Sequence, residues 1–193
     1  ASTSLIQDCY TRNVTMTLQS TVAVRAVGGL LGYQGSGILR DSYSHGSITV
    51  SGNYVGGLVG EVTNGDNAPG MQNWSYVDIR QTSGHYAGGS HGRSRDENRS
   101  VVLGNVAGSG PETARYSALQ FATLYEYNRL FYYDGQVVTG VAQGDKGTNT
   151  WLTPLSGAEL GKPTTWQDRV RLGSAWNYDV VSEGSAPLLL SDC

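Results

Sequence analysis

In Ser47-Ile48-Thr49-Val50-Ser51 apolar residues alternate with hydroxyls. That period of two marks a strand with one buried face, so Ile48 and Val50 are predicted to point inward. Val22, Val24 and Ala26 alternate with Ala23 and Arg25 in the same way. Residues 47–51 and 53–62 together are rich in Val, Ile, Tyr and Thr and flanked by Gly, Ser and Asn, which is strand composition between turn residues. No stretch before about Thr113 sustains a helical period. Farther on, Val101-Val102-Leu103-Gly104-Asn105-Val106 predicts another strand. Residues 111–125, with Ala114, Ala118, Leu119, Ala122 and Leu124, predict a short helix or an irregular coil. Residues 154–160 predict a Ser-capped turn of helix, and residues 186–190 a closing strand.

The strands recur with their punctuation. Val27-Gly28-Gly29-Leu30-Leu31-Gly32 returns as Val55-Gly56-Gly57-Leu58-Val59-Gly60, 28 residues later, and as Ala87-Gly88-Gly89-Ser90-His91-Gly92 after another 32. Between the copies, Leu5-Ile6-Gln7-Asp8-Cys9-Tyr10 matches Ile38-Leu39-Arg40-Asp41-Ser42-Tyr43, with Met71-Gln72-Asn73-Trp74-Ser75-Tyr76 as a looser third version. Asp8, Asp41 and Asn73 align as the polar residue of that phrase, and a recurring polar residue reads as a turn or ladder position. A recurrence at this period indicates a stacked repeat. A unit of 28–32 residues with two or three short strands cannot bury its own apolar face, whereas stacking at the ~4.8 Å strand spacing gives each strand a neighbour above and below. The expectation is an all-β fold, a parallel β-helix-like solenoid. The repeat residues are Gly28, Gly29, Leu30, Gly32, Gly56, Gly57, Leu58, Gly60, Gly88, Gly89 and Gly92. The glycines are expected at tight bends or where backbones approach closely. Glu61 follows the second phrase on what the pattern makes a polar edge, so Glu61→Gln is expected to change stability little.

The phrase Val-Gly-Gly-Leu-x-Gly, with Ile-x-x-(Asp/Asn)-(Ser/Cys)-Tyr and Gly-Ser-Ile-Thr-Val, resembles the GLUG repeat of bacterial surface adhesins and of the region ahead of IgA-specific metallopeptidases. The resemblance covers residues 5–92. The end of the chain is similar to the segment closing such arrays, in Phe131-Tyr132-Tyr133-Asp134, Leu152-Thr153-Pro154, Leu172-Gly173, Trp176 and Pro187-Leu188-Leu189. Residues 93–124 depart from the pattern, beginning with a charged stretch from Arg93 to Arg99 that reads as a solvated loop. The resulting plan is one domain over 1–193: repeats over 1–92, divergent coils with an aromatic layer over 93–150, and a cap over 151–193 that protects the open end of the stack.

Composition narrows the function. Charged residues are 15 % of the chain, against ~25 % in typical domains. Gly accounts for 27 residues, and hydroxyls and amides supply the polarity, as in many extracellular β proteins. A net charge of −3 from 13 basic and 16 acidic residues argues against a nucleic-acid or membrane-surface protein. No apolar run approaches the ~18 residues of a membrane span. The chain opens at Ala1 inside a repeat, which suggests further chain upstream or a cleavage site. Its cysteines, Cys9 and Cys193, are either two buried thiols or a disulfide, and export to an oxidising compartment would favour the disulfide. That bond would require the tail after Trp151 to run back along the stack.

Candidate chemistry is sparse. His85 and His91 flank the third glycine phrase and Asp96 and Glu97 follow, but their spacing defines no ligand set, and a polar loop is the better reading. His-Glu-x-x-His is absent from the chain. Asp41, Asp78, Glu61 and Arg80 are the groups from which carbohydrate chemistry on a β-helix would be built. Lys-Ser/Thr does not follow the glycine phrases, so they are not phosphate loops. Asn13, Asn73 and Asn98 head glycosylation sequons. Trp74 and Tyr76 are the aromatics that would face a sugar if exposed, with core packing the competing role. The sequence thus predicts an exported, extracellular or cell-surface module of structural or adhesive type. It would be non-catalytic, need no cofactor or metal, and meet a host glycan, a host protein or neighbouring subunits. The alternatives are the repeat domain of a secreted metallopeptidase and a carbohydrate-active β-helix.

Overall fold

A computed structural model describes residues 4–22, 24–35, 37–63, 70–94, 97–115, 117–120, 130–140, 152–182 and 185–190. They form a β-solenoid in which successive coils lie in parallel register. The first coil runs through Leu5–Gln7, Tyr10–Leu18, Val24–Gly28 and Leu31–Gln34. The second places Ile38–Arg40, then the long strand Tyr43–Gly56, then Val59–Val62 on the same faces, and the third follows with Gly70–Met71, Trp74–Ser83, Tyr86–Gly88 and His91–Ser94.

A left-handed residue turns the chain between the first two faces of each coil. Asp8, Asp41, Gln72 and Arg99 have φ of 54°, 45°, 59° and 53°. The register pairs Tyr43 with Trp74 and so aligns Asp41 with Gln72, correcting the sequence alignment of Asp41 with Asn73. The two alignments differ by one residue because the third coil carries an extra residue in a bulge: Val50 pairs with Gln81 but Ser51 with Ser83. Asn73 instead plays a ladder role. Its Oδ1 accepts from Ser42 N–H at 3.0 Å and its Nδ2 donates to the Leu39 carbonyl at 3.0 Å, binding two coils together. Buried and bonded at both ends, this amide is not an accessible glycosylation acceptor in the folded chain.

The interior is built from register-matched ladders. Met16, Ile48, Ile79, Val106 and Val138 stack coil upon coil, beside Val27, Val55 and Ala87. Ile48 and Val50 point inward as their alternation predicts. Val22 does not, because it lies in the turn before Val24–Gly28 and is exposed.

The glycine phrases act through close approach. A β-carbon on Gly28 would lie 2.1 Å from the Leu31 carbonyl oxygen, and one on Gly57 would lie 2.2 Å from that of Gly89. Neither residue is among those with positive φ, so crowding rather than handedness demands glycine here. The third phrase stays inside although Ser90 and His91 replace apolar residues. Both are buried, Ser90 Oγ and His91 Nδ1 lie 2.8 Å apart, and the Ser90 carbonyl accepts from Leu58 and Val59 N–H.

The segment over 111–125, expected as a short helix or an irregular coil, forms strands in its described part. Glu112–Ala114 pairs with Tyr86–Gly88, and Ser117–Gln120 with His91–Ser94. A fourth coil therefore continues the phrase with Ala114 in the place of Gly88. The expected solvated loop after Arg93 is likewise strand on both sides, in His91–Ser94 and Glu97–Asn98. Residues 121–129 and 141–151, which include part of the expected aromatic layer, lie outside the described residues.

The predicted capped turn is present as Gly157–Leu160. Ser156 Oγ accepts from Glu159 N–H, and the Glu159 carboxylate accepts from Ser156 N–H at 2.8 Å. A π-helical turn follows at Thr165–Val170. The predicted closing strand is Leu188–Leu189, which pairs antiparallel with Trp176–Asn177. This cap covers the flank of the stack. Trp166, Val170, Leu172, Trp176 and Leu189 pack with Tyr43, Trp74, Val101 and Phe131, and Trp74 Nε1 donates to the Pro187 carbonyl at 3.0 Å. The tail does run back along the coils, but without a disulfide at Cys9. Cys9 is a free thiol whose Sγ donates to the Gln7 carbonyl at 3.3 Å, and Cys193 lies outside the described residues.

Candidate functional site

The long face of each coil alternates inward and outward residues, and the outward set begins with an aromatic ladder. Tyr10, Tyr43 and Trp74 occupy one register position. Ring centroids are 5.3 Å apart between Tyr10 and Tyr43 and 4.3 Å between Tyr43 and Trp74, with planes 10° and 13° from parallel. Two residues along the next outward position holds His45 and, one coil on, Tyr76. Their rings meet edge to face, with 5.3 Å between centroids.

The returning tail lies beside this face and leaves a cleft of about 250 Å³. Arg12, Asn13, Tyr43, His45, Trp74 and Tyr76 form its solenoid wall, and Val180, Ser185, Ala186 and Leu188 form its tail wall. A second depression of about 180 Å³ adjoins it, sharing Tyr76, Ser185 and Ala186 and reaching Leu103, Tyr133 and Leu160. Asn13 sits at φ 55° in the bulge between Thr11 and Val14, which reshapes the rim. Arg12 is held against Tyr43, with Nε and Nη2 donating to the phenol oxygen at 3.4 and 3.3 Å.

Trp74 and Tyr76, the two aromatics singled out from the sequence, both line this cleft but differ in role. Trp74 is 3 % exposed and packed against the cap, so it is wall and core. Tyr76 is 36 % exposed and offers ring surface to a ligand. Sequence reasoning missed His45 and Arg12. The signal for His45 was its place two residues after Tyr43, matching Tyr76 after Trp74. No sequence signal marks Ser185, because only the path of the tail brings it to the cleft.

The carboxylates considered for sugar chemistry lie in separate places. Asp41 is at the turn between the first two faces, Asp78 is on the outside of Trp74–Ser83, and Glu61 is in Val59–Val62 on another sheet. Asp78 Oδ1 accepts from the backbone and side-chain amides of Asn105, a turn-stabilising role. Burial beneath the tail pushes the Asp41 carboxyl above its ordinary range, with Trp176 and Arg40 pulling the other way. Burial, followed by the charge of Asp41, pushes the Tyr178 phenol up to about 12.

Glu61 is not on a polar edge. It is 1 % exposed, and its two oxygens accept from Arg25 Nε at 2.7 Å and Arg93 Nη1 at 2.8 Å. Burial alone would raise its pKa, but the bonds from Arg25 and Arg93 outweigh it and hold the carboxyl below the ordinary value. The network joins three coils, since Arg25 belongs to the first, Glu61 to the second and Arg93 to the third.

Among the described residues, no three His, Cys, Asp or Glu side chains gather into a metal-holding group. His85 bonds Asn53 and His91 bonds Ser90, Asp96 lies outside the described residues, and the side chain of Glu97 is not described. Among the described residues no helix is long and apolar enough to cross a membrane. No protein-family model, curated protein or solved structure matches the chain.

Proposed function

We propose that the protein is an exported bacterial module of structural and adhesive type, non-catalytic, that holds a binding surface rigid outside the cell. The observation that supports this reading most directly is the locked flank of the solenoid. Packed rings and a bonded amide tie the first three coils together, and the tail seals beside them to leave a recessed aromatic cleft. A low-charge composition rich in hydroxyls and glycine suits an extracellular β protein, and the GLUG-like phrases point the same way.

The test is attachment. Labelled protein should bind host cells or immobilised extracellular glycans and matrix proteins above the level of an unrelated β-helix. Protease treatment of intact producing cells should also remove it. No attachment above that control, or full protection from external protease, would overturn the reading.

A second reading is favoured by the first coil. Among the described residues its four strands are paired on one side only, which suits a further coil or a neighbouring subunit against that edge. On this reading the solenoid is a spacer in a larger secreted protein, such as a metallopeptidase. The reading frame on either side of residues 1–193 decides it.

A further inference from the structure

We infer that the paired depressions around Tyr76 are a carbohydrate site that takes the end of a glycan, one pyranose ring beside Tyr76 and its neighbour across it. This deepens the adhesive reading by naming the ligand class and the residues that hold it. Three independent observations converge on the cleft.

The first is shape. At about 250 and 180 Å³, each depression is smaller than the ~300–1,000 Å³ pockets that enclose drug-sized ligands, and a small ring suits that size better. They meet at Tyr76, which lines both.

The second is the Tyr76 ring. The edge-to-face contact with His45 fixes its orientation, and the ring is exposed although it stands in a recess. A pyranose presents one face of C–H groups and a rim of hydroxyls. An aromatic ring with an apolar body and a polar tip matches that split, and a ring already fixed loses little entropy on binding.

The third is the polar lining. His45 lines the cleft, and a ligand hydroxyl can donate to or accept from an imidazole nitrogen, which suits a sugar better than an apolar ligand. The Asn13 amide on the bulged rim and Ser185 on the opposite wall add further donors and acceptors of the neutral kind that hydroxyls use.

The experiment is an NMR titration of the whole chain with the methyl glycosides of glucose, galactose, mannose and N-acetylglucosamine at millimolar concentrations, followed by the matching disaccharides. At least one sugar should give saturable shifts in the Tyr76 and His45 signals. Tyr76→Ala should weaken that binding about tenfold or more, and Tyr76→Phe should keep it within about threefold. Tyr76 is partly exposed, so its melting temperature should barely move. If Tyr76→Ala does not fold, His45→Ala serves as the second variant and should weaken binding in the same way. Absence of shifts with every sugar, or equal binding by the wild type and the folded variants, overturns the proposal. Such failure leaves the adhesive reading standing, because that reading is measured by whole-chain attachment. Lost attachment with intact sugar binding would instead sink the adhesive reading alone.

Discussion

Gly57 and Ser75 face each other across the inside of the solenoid, so close that a β-carbon on Gly57 would lie 2.0 Å from Ser75 Oγ. The same arrangement joins Gly29 to Ser44 one coil earlier, where the distance would be 2.2 Å. Ser75 Oγ donates to the Gly89 carbonyl at 2.8 Å, so the hydroxyl that excludes a side chain from Gly57 also ties the glycine turn to the long face. The coil is thin at this point because a serine rather than a large apolar residue points inward.

Gly57→Val is therefore expected to destabilise the fold by about 3 kcal/mol or more, since the obstructing atoms include backbone as well as a short side chain. Gly35→Ala is the control. Its β-carbon would meet only the Tyr33 ring, at 3.5 Å, so stability should stay within about 0.5 kcal/mol of the wild type. Chemical denaturation of both variants decides the matter, and equal midpoints would remove the structural role of the glycine phrase.

Glu61→Gln should lower stability by about 1–3 kcal/mol, because a buried carboxylate bonded to Arg25 and Arg93 becomes a neutral amide. The effect carries a pH signature. The folded Glu61 carboxyl is held below 4.5, so its contribution is complete above pH 4.5 and is lost as pH falls through the lowered folded value. Asp41 has the opposite sign. Its folded pKa is raised above 3.8, so its contribution is present at low pH and is lost as pH rises through the raised value. Denaturation of the wild type and Glu61→Gln across pH 3–7 should show the gap between them closing at the acid end. A constant gap would mean that the bonds to Arg25 and Arg93 do not depend on the charge.

Trp74→Ala should cost about 3–5 kcal/mol. It removes a buried indole that stacks on Tyr43 and donates to the Pro187 carbonyl, and so it detaches the tail from the flank. Proteolysis within residues 171–190 should accelerate in the variant before the repeats are cut. Simultaneous cleavage of both regions would show that tail and coils unfold as one unit.

Cys9 should be alkylated by iodoacetamide in native, unreduced protein, with the modified residue located by peptide mass spectrometry, because its thiol is half-buried and bonded only to a carbonyl. Cys9→Ser should shift the melting temperature little. A protected Cys9 that becomes reactive only after reduction would restore the disulfide expected from the sequence.

Much of the fold was legible because local pattern and repeat period agree. The alternation in Ser47–Ser51 put Ile48 and Val50 inside, and the return of Val-Gly-Gly set the stacking partners, since each coil bonds to a copy of itself. The Ser156–Glu159 capping box was legible for the same local reason. Further coils were expected after residue 93, but the glycine-phrase segment of the fourth was not recognised as strand, because Ala114 replaces the signature glycine and its neighbours read as helix formers, so only pairing with Tyr86–Gly88 makes it strand. The register of Asp41 escaped because one bulged residue shifts the alignment. Glu61 read as a surface charge, because the two arginines that hold it belong to other coils, 36 residues before it and 32 after it. The cleft depends on tertiary structure in the same way. Sequence pointed to Trp74 and Tyr76 as aromatics of interest, but the return of residues 171–182 and 185–190 along the flank decided that one is buried wall and the other exposed ring. A repeating strand pattern specifies which residues face out, whereas only long-range packing determines which of those outward residues are covered.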